Sequence, residues 1–305
     1  MLTDIFEQIE KAGSAKSTKS GGIMDIGVAV LPKLPRDAGD RNRTSPFAFT
    51  GNKFEFRAVS SNQGIAMPNV ALNVAATESL DYCATELEAS LKSGKKLEEA
   101  VKMLLSKVVK ESKRIIFNGN GYSAEWQKEA GKRGLLNLKT SVDAFGEFLK
   151  PDVIKAFEQY GVLNAREMHA RNEVALEQYN KTINIEAQLM VLMANRSILP
   201  AAYRFQGELA QTVAAVKAAG ASAKESRKAL DEIGGLTDAC RQATIALQKL
   251  LEHEENGDSH KHAKFFRDKV VPAMAALREA GDALEGLVPQ DLWPLPTYRE
   301  MLFVK

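Results

Sequence analysis

Residues 164–287 carry apolar side chains at helical spacing almost without a break, and nothing else in the chain restricts its fold so strongly. Leu163, Met168, Val174, Leu176, Tyr179, Ile183, Leu189 and Leu192 lead into Ile198 and Leu199, with an interruption expected at Pro200. Ser222 and Glu225 have the spacing of a capping box. They open a second run through Leu230, Ile233, Leu236, Ala243, Leu247 and Leu251. A charged tip follows over 252–258, and a third run returns over 261–287, bent at Pro272. Two amphipathic helices joined by a short polar tip form an antiparallel hairpin, so this half predicts a helical bundle. The last stretch, DLWPLPTYREMLFVK, is rich in proline and aromatics and is expected to dock as an extended segment.

Upstream the pattern is mixed. Residues 2–11 predict an amphipathic helix with Ile5, Phe6 and Ile9 on one face. GSAKSTKSGG, residues 13–22, reads as a polar loop and lacks the spacing of a nucleotide-binding phosphate loop. Residues 24–31 form a short apolar strand candidate, and the prolines of PKLPRDAGD stiffen the loop after it. Pro68 suits the first turn of a helix running to Gly94, and residues 97–116 predict another. Both helices are expected to pack on a sheet. Asn118, Gly119, Asn120, Gly121 and Tyr122 make a turn, with Ser123 as the cap of the next helix.

That sheet centres on residues 53–57, where the alternation is strict. Lys53, Glu55 and Arg57 share one face and Phe54 and Phe56 the other. A period of two signals a half-buried strand, and the aromatic face is the expected buried one. The charged heads leave the strand roughly 6.6 Å apart. Such a row can serve a phosphate and its metal. It equally describes a solvated edge strand, where charges discourage aggregation. Arg41 and Arg43 add cations just upstream, and Gly51-Asn52 reads as the turn feeding the strand.

Composition excludes several classes. The 305 residues carry a net charge of only +2, so no polyanionic partner such as nucleic acid is implied. Two cysteines, Cys83 and Cys240, argue against a disulfide framework and fit a reducing cytoplasm. No apolar run reaches the roughly 20 residues of a membrane span, and the start has no secretory pattern. His253, His260 and His262 lie near Glu252, Glu254, Glu255 and Asp258, but their spacing matches no common ligand motif and reads as a solvated tip. His169 stands alone, and the run Met190-Val191-Leu192-Met193 reads as core.

The wording NRTSPFAFTGNKFEFR, with IFNGNGYSAEWQKEAGKRGLLNL, KTINIEA and WPLPTY downstream, resembles the large type III glutamine synthetases over nearly the whole chain. The resemblance implies an α+β fold: residues 1–120 would be the C-terminal part of a glutamine synthetase catalytic domain, and 121–305 a type III C-terminal helical domain. It implies ATP-dependent ligation of ammonia to L-glutamate through γ-glutamyl phosphate, with Mg²⁺ or Mn²⁺, in a large cytoplasmic homo-oligomer. Carried over by position, Arg43 would contact the phosphates and the transferring group. Lys53 would contact ATP phosphate where other classes have arginine, Glu55 would ligate the ATP-side metal, and Arg57 would hold substrate or its developing phosphate. Glu55 is expected to stay ionised between its cations. The chain departs from the shorter class at Ala48, where another phosphate-binding arginine is common, and Arg41 or Lys33 would have to supply that charge. In the family the small β-domain, most metal ligands and the ATP loops lie in a part that this sequence does not include. The chain alone is therefore expected to be inactive. The alternative is a non-catalytic helical module serving assembly or regulation.

Overall fold

The computed structural model describes residues 2–12, 15, 22–24, 34–35, 47–49, 53–57, 64–252 and 257–303. The described chain is mostly helical. It divides into two units, Met1–Lys139 with Asp152–Asn164, and Thr140–Pro151 with Ala165–Lys305.

In the first unit, α1 (Leu2–Ala12) and α2 (Ala66–Lys92) both pack on α3 (Leu97–Ser112). The expected packing of α2 and α3 against a sheet is thus replaced, among the described residues, by helix-on-helix contact. The strands are short: β1 (Ile23–Met24) pairs antiparallel with β2 (Leu34–Pro35), and β3 (Phe47–Phe49) with β4 (Phe54–Phe56). α2 keeps Pro68 in its first turn, where a missing N–H costs nothing, and stops before Gly94, whose φ of +89° suits glycine. On α2, Leu72, Leu80 and Leu91 are exposed, and Val74 is buried. α3 buries Ala100, Leu104 and Val109, then tightens into a 3₁₀ turn over Lys113–Ile115. Across its contact with α1, Lys113 Nζ meets Glu10 Oε2 at 2.8 Å.

The predicted turn at 118–122 forms. Asn120 Oδ1 accepts from the Tyr122 N–H, and Ser123 caps α4 (Ala124–Lys132) by accepting from the Trp126 N–H. α6 (Pro151–Gln159) follows α5 (Ser141–Phe148). The Gln159 amide at the end of α6 and the Tyr160 hydroxyl just after it both donate to Asp81 Oδ2 of α2, at 3.3 and 3.1 Å.

The second unit is the predicted bundle. α7 (Ala165–Met193) runs on into α8 (Leu199–Ala218), and α9 (Lys224–Leu251) returns against it. α10 (Ser259–Phe265) and α11 (Val271–Glu285) then pack back on α7 and α9. Ile233, Cys240, Leu247, Val270 and Leu284 are fully buried in one core. A buried aliphatic side chain of this size contributes about 1.5–3 kcal/mol. A smaller cluster of Val142, Leu176 and Ala263 joins α5, α7 and α10.

Both predicted proline interruptions take one form. Ala194–Ile198 and Phe266–Val270 are π-turns, in which the Leu199 N–H donates to the Ala194 carbonyl and the Val271 N–H to the Phe266 carbonyl. Pro200 and Pro272 come next. A proline in a regular helix lacks its donor and presses on the carbonyl four residues back, and a wider turn just before it relieves both problems. The helices therefore run on through their prolines. Polar side chains hold both turns: Arg241 donates to Asn195 Oδ1 at 2.8 Å, and Arg267 bonds Asp143 of α5.

Two local expectations are corrected. Ser222 does not cap α9. The N-cap is Ala223, which is buried, and Glu225 pairs with Lys228 instead. The tail is extended only in part. Leu292, Trp293 and Leu295 pack on the core, and the Trp293 indole donates to Glu285. The chain then enters α12 (Tyr298–Leu302), which has a true capping box between Thr297 and Glu300.

Candidate functional site

The charged row sits on the β3–β4 hairpin. The register pairs Phe47 with Phe56, Ala48 with Glu55 and Phe49 with Phe54. Because side chains alternate across a strand, Phe47, Phe54 and Phe56 share one face. Their rings cluster, Phe47 stacking on Phe54 with centroids 5.2 Å apart and meeting Phe56 at 6.3 Å. This face was the expected buried one, yet Phe54 is 53% exposed and Phe56 47%. The charged face is covered unevenly, with Glu55 and Arg57 half-buried and Lys53 exposed.

On that face Lys53, Glu55 and Arg57 come together as the alternation requires. Lys53 Nζ lies 3.2 Å from Glu55 Oε1, and Arg57 Nη2 lies 3.3 Å from Glu55 Oε2. Each carboxylate oxygen thus faces its own cation. The Lys53 ammonium first, and then the Arg57 guanidinium, hold the Glu55 carboxyl below the usual range, so it is ionised at neutral pH. Arg43, and with it Arg41 and Lys33, lies outside the described residues, as does the Gly51-Asn52 turn.

A divalent cation is a poor fit to the residues present. Hard cations take about six oxygen ligands. Glu55 is one carboxylate whose oxygens are both engaged, and its cross-strand partner is alanine. Among the described residues no three His, Cys, Asp or Glu side chains form a metal-binding group. At the hairpin tip, Asp258 has another use: its Oδ1 accepts from the His260 and Lys261 N–H groups and caps α10. His262 stacks on Phe266, His169 is exposed, and His253, Glu254 and Glu255 lie outside the described residues.

A second feature of the first unit is not visible in the sequence pattern. Phe6 of α1 and Val109 and Ile116 of the α3 end line a cleft of about 320 Å³, with Glu10, Lys113 and Arg133 beside them. Arg133 is its keystone. It donates to the Ile116 carbonyl at 3.0 Å, pairs with Glu129 at 2.9 Å and lies over the Trp126 ring. Trp126 in turn stacks on Phe117 with centroids 4.0 Å apart. No helix of the described chain is long and apolar enough to cross a membrane.

The chain is similar in sequence to known proteins. The profile of the glutamine synthetase C-terminal domain family matches residues 100–217. The type-3 glutamine synthetase of Dictyostelium discoideum is 35% identical over 289 residues, covering 92% of this chain and 39% of that protein. A glutamine synthetase of Bacteroides fragilis is 31% identical over 314 residues, covering 100% of this chain and 42% of its own length. One from Butyrivibrio fibrisolvens is 33% identical, covering 88% and 38%. The chain therefore spans about two fifths of the length of the curated relatives it matches. By sequence the chain is thus similar to type-3 glutamine synthetase over most of its own length, and its residues 100–217 match the glutamine synthetase C-terminal domain family.

Proposed function

We propose that this chain supplies the C-terminal part of a glutamine synthetase, which ligates ammonia to L-glutamate with ATP through γ-glutamyl phosphate. The observation that carries the reading is the charged row of β4, set in a chain related to that family over nearly its whole length. Phosphoryl transfer to a carboxylate concentrates negative charge, and fixed cations set in advance lower its cost. Lys53 is assigned to the ATP phosphates, and Arg57 to the substrate carboxylate or the phosphate forming on it. Arg43 is assigned to the transferring group by sequence position. Glu55 holds Lys53 and Arg57 on one face. When bound, Mg²⁺ or Mn²⁺ would neutralise phosphate oxygens, but the described residues do not by themselves form its site. The other walls, and the α+β catalytic sheet that the exposed aromatic face would join, are assigned to the part of the enzyme that this chain does not match. Assembly into a large homo-oligomer in the cytoplasm belongs to the same reading.

The test is ATP-dependent glutamine formation by the purified chain, alone and mixed with the complementary portion of a type-3 relative. The chain alone is expected to make none and the mixture to make glutamine. Glutamine synthesis by the chain alone, or none by a mixture in which the two portions associate, overturns the proposal.

A further inference from the structure

The disagreement between Glu55 and a metal-ligand role leads further. We infer that, in this chain, Glu55 is the counter-ion of the charged row: a latch that occupies Lys53 and Arg57 and lowers their attraction for polyphosphates. The inference rests on reading the row as a phosphate-facing surface, and it deepens that reading.

Three observations carry it. Each oxygen of Glu55 meets a different cation, Lys53 Nζ at 3.2 Å and Arg57 Nη2 at 3.3 Å, so a dication would have to displace one of them and lie beside both. The residue across the ladder is Ala48, which offers no oxygen ligand from its side chain. In the sequence Glu55 is the lone carboxylate between Asp40 and Glu78, while Arg41, Arg43, Lys53 and Arg57 occupy the same stretch. A segment with four cations and one anion is built to meet anions, and its one carboxylate serves to moderate them. The latch is weak by construction. The Lys53 side chain is 64% exposed and that of Glu55 39%, so water and salt compete with the pairs. A polyphosphate can therefore open it, whereas a neutral ligand gains nothing by doing so.

The test is metal-free titration of the full 305-residue chain with inorganic tripolyphosphate by calorimetry, beside the Glu55→Gln variant. Removing one negative charge about 6 Å from the bound anion should tighten binding about three- to tenfold at low salt. The gain should vanish at high ionic strength. Glu55→Asp keeps the charge on a shorter arm and should fall between, and it serves if the amide variant fails to fold. Lys53→Met on top of Glu55→Gln should remove most of the gain. A parallel Mn²⁺ titration should give the same isotherm for wild type and Glu55→Gln. Weaker or unchanged tripolyphosphate binding by Glu55→Gln, no binding by either protein, or a Mn²⁺ site lost with Glu55 each overturns the latch. None of these bears on whether the chain completes a glutamine-forming enzyme, which the mixing assay decides.

Discussion

Gly119→Ala is the substitution whose cost the geometry specifies most closely. Gly119 has φ +151°, a conformation that side chains rarely adopt, and a Cβ built there would stand 2.8 Å from the Phe117 ring. The ring has no free retreat, because it stacks on Trp126 at 4.0 Å while Arg133 covers the same indole. Two costs follow: about 1–3 kcal/mol for the backbone conformation, and about 0.5–1.5 kcal/mol for the stack that the displaced ring gives up. Their sum is about 1.5–4.5 kcal/mol. The assay is urea unfolding followed by fluorescence, with Trp293→Phe as background so that Trp126 alone reports. Repeating it with Phe117→Ala closes a double-mutant cycle. The penalty of Gly119→Ala should shrink by about the stacking contribution once the ring is gone, leaving the backbone cost. A penalty under about 0.5 kcal/mol, or no coupling to Phe117, refutes a rigid Phe117–Trp126–Arg133 stack around this turn.

Other perturbations test other parts. Leu247→Ala, at a fully buried core position, should cost about 2–5 kcal/mol in chemical unfolding, whereas Leu189→Ala on an exposed face should cost less than about 0.5 kcal/mol. Ser123→Ala removes the acceptor for the Trp126 N–H and should cost about 1 kcal/mol in the same experiment. Burial pushes the Cys240 thiol up from its ordinary value. A thiol reagent at neutral pH should therefore titrate Cys83 first and Cys240 only on unfolding. The folded state holds that proton more tightly, so the contribution of Cys240 to stability is present below the ordinary thiol pKa of about 8.5. It should fall as pH rises above that value.

Where a residue's role depends on its near neighbours in sequence, the sequence shows it. The caps and stops at Ser123, Pro68 and Gly94, and the helical period through Ile233 and Leu247, are local and all appear as expected. The alternation of Lys53, Glu55 and Arg57 likewise predicts the shared face that the two ion pairs confirm. A period of two does not say which face is covered, since that depends on what packs there, and the aromatic face is open. Ser222 and Glu225 have capping-box spacing, but the N-cap is the buried Ala223, so the helix starts one residue later. Pro200 and Pro272 announce an interruption, but whether the helix breaks or widens by one residue and runs on is not written in the residues around them. Arg133 could not be singled out, because its acceptor is a backbone carbonyl 17 positions away.

The central claim is that the charged row of β4 is part of a glutamine-forming site, and the direct measurement is kcat for glutamine synthesis by the mixed portions carrying Arg57→Met or Lys53→Met. Removing a preorganised cation from a phosphoryl-transfer site typically costs a factor of about 10²–10³. Both variants should lose activity on that scale while the portions still associate. Activity within twofold of the unmodified mixture for both would contradict the claim.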